Sequence, residues 1–143
     1  MANIIPFAFR GELFSGTHNF ASGGDSFKIA LYTTISGYST ASTTYLTANE
    51  VSSGGGSGYT TGGKVLGSQA VASGTAVASV DFADSSIASA TFSAAGAAIY
   101  NDDKSDKLCV VLDFGGSKTA TNGTFTIAFP DPSTPANAII SMS

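Results

Sequence analysis

The chain is poor in the residues on which most chemistry depends. It has one cysteine, one histidine, no tryptophan and six lysines and arginines among 143 residues. A single Cys109 excludes an internal disulfide, and its setting in Leu108-Cys109-Val110-Val111-Leu112 marks a small buried hydrophobe rather than a reactive thiol. One Cys and one His cannot fill a tetrahedral zinc site. Basic residues form no cluster, so the electrostatic footprint that nucleic acid or an anionic membrane requires is missing. No run of about 18 apolar residues reaches the length of a membrane span. The start, Met1-Ala2-Asn3-Ile4-Ile5-Pro6-Phe7, has neither the basic stretch nor the apolar length of a signal peptide, so synthesis in a cytosol is expected.

Charge of both signs is scarce. Charged residues make up 11 %, against roughly 25 % in an average soluble domain, and Ser, Thr, Ala and Gly replace them. Such a surface costs little to desolvate when a second surface covers it, which suits a protein that works inside an assembly. A monomer kept in solution by its hydroxyls is the plainer reading.

Catalytic constellations fail one by one. A Ser-His-Asp arrangement must use His18, which lies in the turn Gly16-Thr17-His18-Asn19-Phe20 with no nucleophile elbow anywhere in the chain. A turn histidine bonded to nearby backbone or to a neighbouring subunit fits better. Glycoside chemistry needs paired carboxylates, and the only glutamates, Glu12 and Glu50, fall in segments that read as peripheral. Gly62-Gly63-Lys64 is followed by Val65, not by the hydroxyl residue of a phosphate loop. Asp102, Asp103 and Asp106 offer oxygen ligands of the kind calcium takes, but Lys104 and Lys107 interleave and the calcium-loop spacing is absent, so a solvated hairpin turn is expected. No enzyme, cofactor or metal site is expected.

What the chain does have is period-two alternation. In Ser26-Phe27-Lys28-Ile29-Ala30-Leu31-Tyr32, Phe27, Ile29 and Leu31 face one way and Lys28, Ala30 and Tyr32 the other. Further strands are expected over Lys64–Val71, Thr75–Phe82, Ile87–Ser93, Ala97–Tyr100, Lys107–Phe114, Thr124–Phe129 and Ala138–Met142. Turn signals at Ser73-Gly74, Asp84-Ser85, Asp102 to Ser105, Gly115-Gly116, Asn122-Gly123 and Asp131-Pro132 separate them. About eight short strands predict an all-β fold, an antiparallel two-sheet sandwich of jelly-roll type. Gly96, inside a strand-like run, predicts a bulge or a close approach, and the Ala and Ser between Val71 and Ala98 predict a flat face of small side chains. Ahead of the sandwich, residues 1–24 form an N-terminal segment with a short helix over Phe7 to Phe14, whose stripe would be Phe7, Phe9 or Arg10, Leu13 and Phe14. The sandwich itself takes residues 25–143. The polar stretch from Ile35 to Gly63 reads as a long loop, with a helical turn near Thr47 to Glu50.

The block Asp25 to Thr34 after a short helix is followed by Thr47-Ala48-Asn49-Glu50-Val51 and by Gly58-Tyr59-Thr60-Thr61-Gly62-Gly63. Then come Val80-Asp81-Phe82-Ala83-Asp84, Ala98-Ile99-Tyr100-Asn101, Val111-Leu112-Asp113-Phe114-Gly115 and Phe125 to Pro130. In this order of short motifs, from about Phe9 onward, the chain resembles small structural proteins encoded by tailed bacteriophages. The resemblance implies a non-enzymatic virion component, a capsid decoration (cement) protein. Such a protein sits on the outer capsid surface, bridges major capsid protein subunits, and self-associates as a dimer or trimer. No family motif assigns the contact residues. From the residues alone, the apolar Ile4, Ile5, Phe7 and Phe9 are expected to meet a partner or the core, and removal of residues 2–9 is expected to leave the domain folded. The alternative is a tail or fibre module that grips a host surface, stacking on it through Tyr38, Tyr45 and Tyr59.

Overall fold

Side chains that alternate between two apolar environments can be buried on both faces of a sheet, and this explains the centre of the molecule. The structure, a computed structural model, describes residues 2–130 and 138–142. Helix α1 spans Phe7–Phe14, and the strands are β1 (Phe27–Tyr32), β2 (Lys64–Val65), β3 (Ala70–Ser73), β4 (Ala78–Asp81), β5 (Ser85–Asn101), β6 (Lys107–Ile127) and β7 (Ile140–Met142). They form two antiparallel sheets, of order β2-β1-β5-β6 and β3-β4-β7. The described residues are thus mostly β with one α-helix. No helix among the described residues is long and apolar enough to cross a membrane.

The main core draws on Phe27, Ile29 and Leu31 of β1, Ala97 and Ile99 of β5, Val110 and Leu112 of β6, Phe82 after β4, and Ile140 of β7. Phe27 stacks on Phe20 at 4.3 Å between ring centroids and meets Phe82 edge-on at 5.8 Å, geometries that add to the burial of the rings themselves. Beyond the half-buried Lys28, the opposite face of β1 does not meet solvent. Ala30 and Tyr32 are wholly buried in a second cluster with Ile35, Tyr38, Tyr100, Leu108 and Val111. The period-two reading of β1 is right, and the loop after β1 supplies the second cover.

Three expectations about the strands change. The run Lys64–Val71 divides, because Ser68 takes a left-handed φ of 53° and carries the chain from the larger sheet to the smaller. Ile87–Ser93 and Ala97–Tyr100 are one strand of 17 residues, β5. Lys107–Phe114 and Thr124–Phe129 are likewise one strand of 21 residues, β6. Gly115, Gly116 and Asn122 do adopt positive φ, but inside the ladder, where β6 carries one extra residue against β5 at Asn122 and three between Asp113 and Lys118 without turning back. The hairpin that joins β5 to β6 is the expected one at Asp102 to Asp106, with Ser105 and Asp106 left-handed. The turn expected at Asp131-Pro132 lies outside the described residues.

Gly96 makes the predicted close approach. A Cβ there would lie 2.5 Å from Ile35 Cγ2 and 2.5 Å from the Leu112 carbonyl, and the β5–β6 register shifts beside it. The small residues split instead of forming one flat face: Ala90, Ala94, Ala97 and Ala98 are buried, while all of β3 is exposed.

Candidate functional site

The N-terminal segment is stitched to the larger sheet. Ile4 and Val111 exchange two backbone hydrogen bonds of 2.8 Å, and the Phe7 N–H donates to the Thr40 carbonyl at 2.9 Å. Helix α1 then follows Pro6, whose extended φ of −62° suits a helix entry, and Gly16 closes it in the left-handed conformation. The helix is at the predicted place, but its faces are not as predicted. Phe9 is fully buried and Leu13 packs beside it, whereas Phe7 is 62 % and Phe14 93 % exposed. Positions i and i+4 (Phe9, Leu13) make the inner face, and i and i+7 (Phe7, Phe14) the outer one. The single stripe expected from the sequence merged the two. Arg10 lies between them, its guanidinium 5.3 Å from the Phe7 ring centre and bonded to the Ile5 carbonyl.

Of the four apolar residues expected at a contact, Phe7 alone presents a largely free side chain. Ile4 and Ile5 are half-buried against the two clusters, and Phe9 belongs to the core. Residues 2–9 are therefore part of the folding unit, and their removal would open the core, contrary to the expectation that it would leave the domain folded. Phe14 was missed as a surface residue. The signal that finds it is the i, i+7 relation to Phe7, set against the i, i+4 pair that faces inward.

The tyrosines expected to stack on a host surface point inward. Tyr38 and Tyr59 are 5 % and 4 % exposed, and Tyr45 is half-buried, stacked on Tyr100 at 4.6 Å. Tyr32 donates to the Leu46 carbonyl at 2.6 Å, so Tyr38 donates to Tyr32 at 2.7 Å and accepts from the Leu46 N–H at 3.0 Å. Tyr59 and Tyr45 donate to the two oxygens of Glu50 at 2.6 and 2.5 Å, and the Gly62 N–H adds a third bond of 2.7 Å. Tyr100 donates to the Gly62 carbonyl. Glu50, read as peripheral, is the hub that holds the long loop to the sheet. Burial in this cluster pushes the Tyr32, Tyr38, Tyr45, Tyr59 and Tyr100 phenols above the ordinary tyrosine value.

His18 is also an internal link. Its Nδ1 lies 2.9 Å from the Asn101 side-chain amide, which donates, so the ring carries its proton on Nε2 and gives it to Glu12 Oε2 at 2.8 Å. Asn101 donates further to Asp25 at 2.8 Å, and Lys107 reaches Glu12 Oε1 at 2.6 Å. The expected bond of His18 to backbone or to another subunit is replaced by side chains of α1 and β5. With both nitrogens engaged, the ring has no lone pair to offer a nucleophile. Glu12, like Glu50, is structural rather than peripheral. Two aspartates of the β5–β6 turn are committed too: Asp102 pairs with Lys28 at 3.0 Å, and Asp103 accepts from the Ser26 N–H at 2.7 Å. Cys109 is buried as expected, and burial pushes its thiol well above the usual value.

The chain matches no protein-family model, no curated protein and no solved structure. The functional reading therefore rests on the surface. Its outstanding feature is the outer face of α1, two exposed phenylalanines flanking an arginine, on a helix anchored from both ends.

Proposed function

We propose that the chain is a non-enzymatic capsid decoration protein of a tailed bacteriophage, which binds the outer shell surface and bridges major capsid protein subunits. The observation that carries this reading is the exposure of Phe7 and Phe14 on one face of a helix whose other face is locked into the core. Two free aromatic rings are costly to keep in water, and phenylalanine and arginine are both enriched in protein interfaces. The rigid mount means that little conformational entropy is lost on docking. The scarcity of charge adds to this, since a broad Ser- and Thr-rich surface is cheap to cover. The reading takes the two sheets as a sandwich of jelly-roll type. In support, the chain passes from the larger sheet to the smaller after β2, back after β4 and across again before β7.

The reading as a tail or fibre module has less support, because the tyrosines it invoked are engaged in internal hydrogen bonds. Cosedimentation of the purified protein with undecorated phage shells and with host cells, side by side, tests the assignment. Saturable binding to shells alone is expected. Binding to cells alone would overturn the capsid role.

A further inference from the structure

Strand β6 is the last strand of the larger sheet. Among the described residues its outer edge carries only bridges from Ile4 to Val111 and from Thr44 to Lys107, so from Phe114 to Ile127 no strand pairs with it. The matching stretch of β5 is treated differently. There the long loop covers the edge, with the Thr91 N–H donating to the Ser57 carbonyl at 2.9 Å and Lys64 Nζ reaching the Ser86 carbonyl. An open edge is usually defended with charge or proline. From Phe114 to Ala128 the sole ionisable side chain is Lys118, and there is no proline. Alongside runs a groove of about 570 Å³, with Phe114, Ala120, Phe125 and Ile127 among its lining residues.

We propose that this edge pairs with the same edge of a second copy, antiparallel about a two-fold axis between Asn122 and Gly123, joining the two larger sheets into one. The argument is the sequence of the edge itself, Thr119-Ala120-Thr121-Asn122-Gly123-Thr124-Phe125-Thr126. Folded on that axis, Thr119 meets Thr126, Thr121 meets Thr124, and the small Ala120 meets the large Phe125. A two-fold interface must be complementary to itself in this way, whereas an edge that receives a foreign strand has no such requirement. The four threonines are exposed, and Ser93–Thr119 and Ser86–Thr126 already form hydroxyl pairs across β5 and β6 at 2.6 and 3.0 Å. Threonine opposite threonine is a favourable cross-strand pair. The bulge at Asn122 falls on the axis, so it interrupts the new ladder once and symmetrically. The two Lys118 side chains lie nine positions apart along the pair, about 30 Å at the rise of a strand, beyond the reach of mutual repulsion at physiological salt.

The inference stands apart from the capsid reading. Its test is sedimentation of the full chain over a concentration series, beside the double variants T121K/T124K and T121E/T124E. Wild type is expected to approach twice the chain mass as concentration rises. In the proposed register each lysine of the first variant opposes a lysine, and each glutamate of the second a glutamate, so both stay monomeric with unchanged melting temperatures. Mixed in equal amounts they regain the dimer. A wild-type chain that stays monomeric, a dimer that survives both double substitutions, or monomeric variants that fail to recombine would each overturn the proposal. Monomeric wild type that instead captures a strand of the shell protein would give the edge to that foreign strand.

Discussion

The Tyr59 hydroxyl joins two parts of the chain 28 residues apart, donating to Glu50 Oε1 at 2.6 Å while accepting from the Leu31 N–H at 3.0 Å. Through it the carboxylate of the long loop is coupled to the central strand of the larger sheet. Loop 35–63 is therefore as much a part of the folded body as the strands are.

Glu50→Ala removes the acceptor for two phenols and one backbone N–H. Stranding such donors is expected to cost about 3 kcal/mol, with Glu50→Gln costing less because it keeps one acceptor oxygen. Urea unfolding of the two variants checks the order. Hydrogen exchange in residues 35–63 should accelerate in the alanine variant while β5 keeps its protection.

The same cluster sets the behaviour in alkali. The folded phenols are held protonated above the ordinary tyrosine value of about 10 by burial first, then by neighbouring phenols and Glu50. Folded values above the unfolded one mean that stability is full below pH about 10 and falls as pH rises past it. Tyrosinate absorbance is expected to appear together with the loss of β-sheet circular dichroism. Ionisation that runs ahead of unfolding would contradict the burial of the cluster.

On the acid side, burial pulls Glu12 upward, but hydrogen bonds from Lys107 and His18 outweigh it and hold its carboxyl below the usual 4.5. For Asp25 too, burial raises the carboxyl, and the bonds from the Asn19 N–H and Asn101 bring it below 3.8. Both carboxylates stabilise the fold in their ionised form. That contribution is complete above the unfolded values and is lost as pH falls through the depressed folded ones. The melting temperature is expected to drop below pH about 4, and Glu12→Gln should be less stable at neutral pH but lose less on acidification.

Two glycines give opposite outcomes. Gly96→Ala places a methyl against the Leu112 carbonyl and Ile35, and is expected to destabilise by about 2 to 4 kcal/mol. Gly11 lies within α1 with nothing inside 4 Å of a new Cβ, so Gly11→Ala is expected to stabilise by up to about 1 kcal/mol. Thermal melts of the two variants should move in opposite directions.

Much of this was legible in the residues, and what was not has a physical cause. The alternation in β1, the helix between Pro6 and Gly16, the Asp102 to Asp106 turn and the close approach at Gly96 depend on local geometry, which sequence carries. Gly115-Gly116 and Asn122-Gly123 were read as turns because a turn and a bulge need the same residue, one that tolerates positive φ. Only the distant partner strand decides which forms, and β5 runs on past both. Glu12 and Glu50 looked peripheral, and His18 looked like a turn histidine bonded to backbone or a neighbouring subunit, for a similar reason. Lys107 and Asn101 come from β6 and β5, and Tyr59 reaches Glu50 only through the fold of the long loop, so no spacing along the chain announces them.

The central claim is that the outer face of α1 meets the capsid, and titration of wild type and F7S/F14S onto undecorated shells tests it most directly. The double variant should stay within about 1 kcal/mol of wild-type stability, since both rings are already largely in water, whereas Phe9→Ala should lose about 3 to 5 kcal/mol of stability. With both aromatic anchors gone, shell affinity is expected to fall at least about tenfold. A folded F7S/F14S variant that saturates shells at the wild-type concentration would contradict the account.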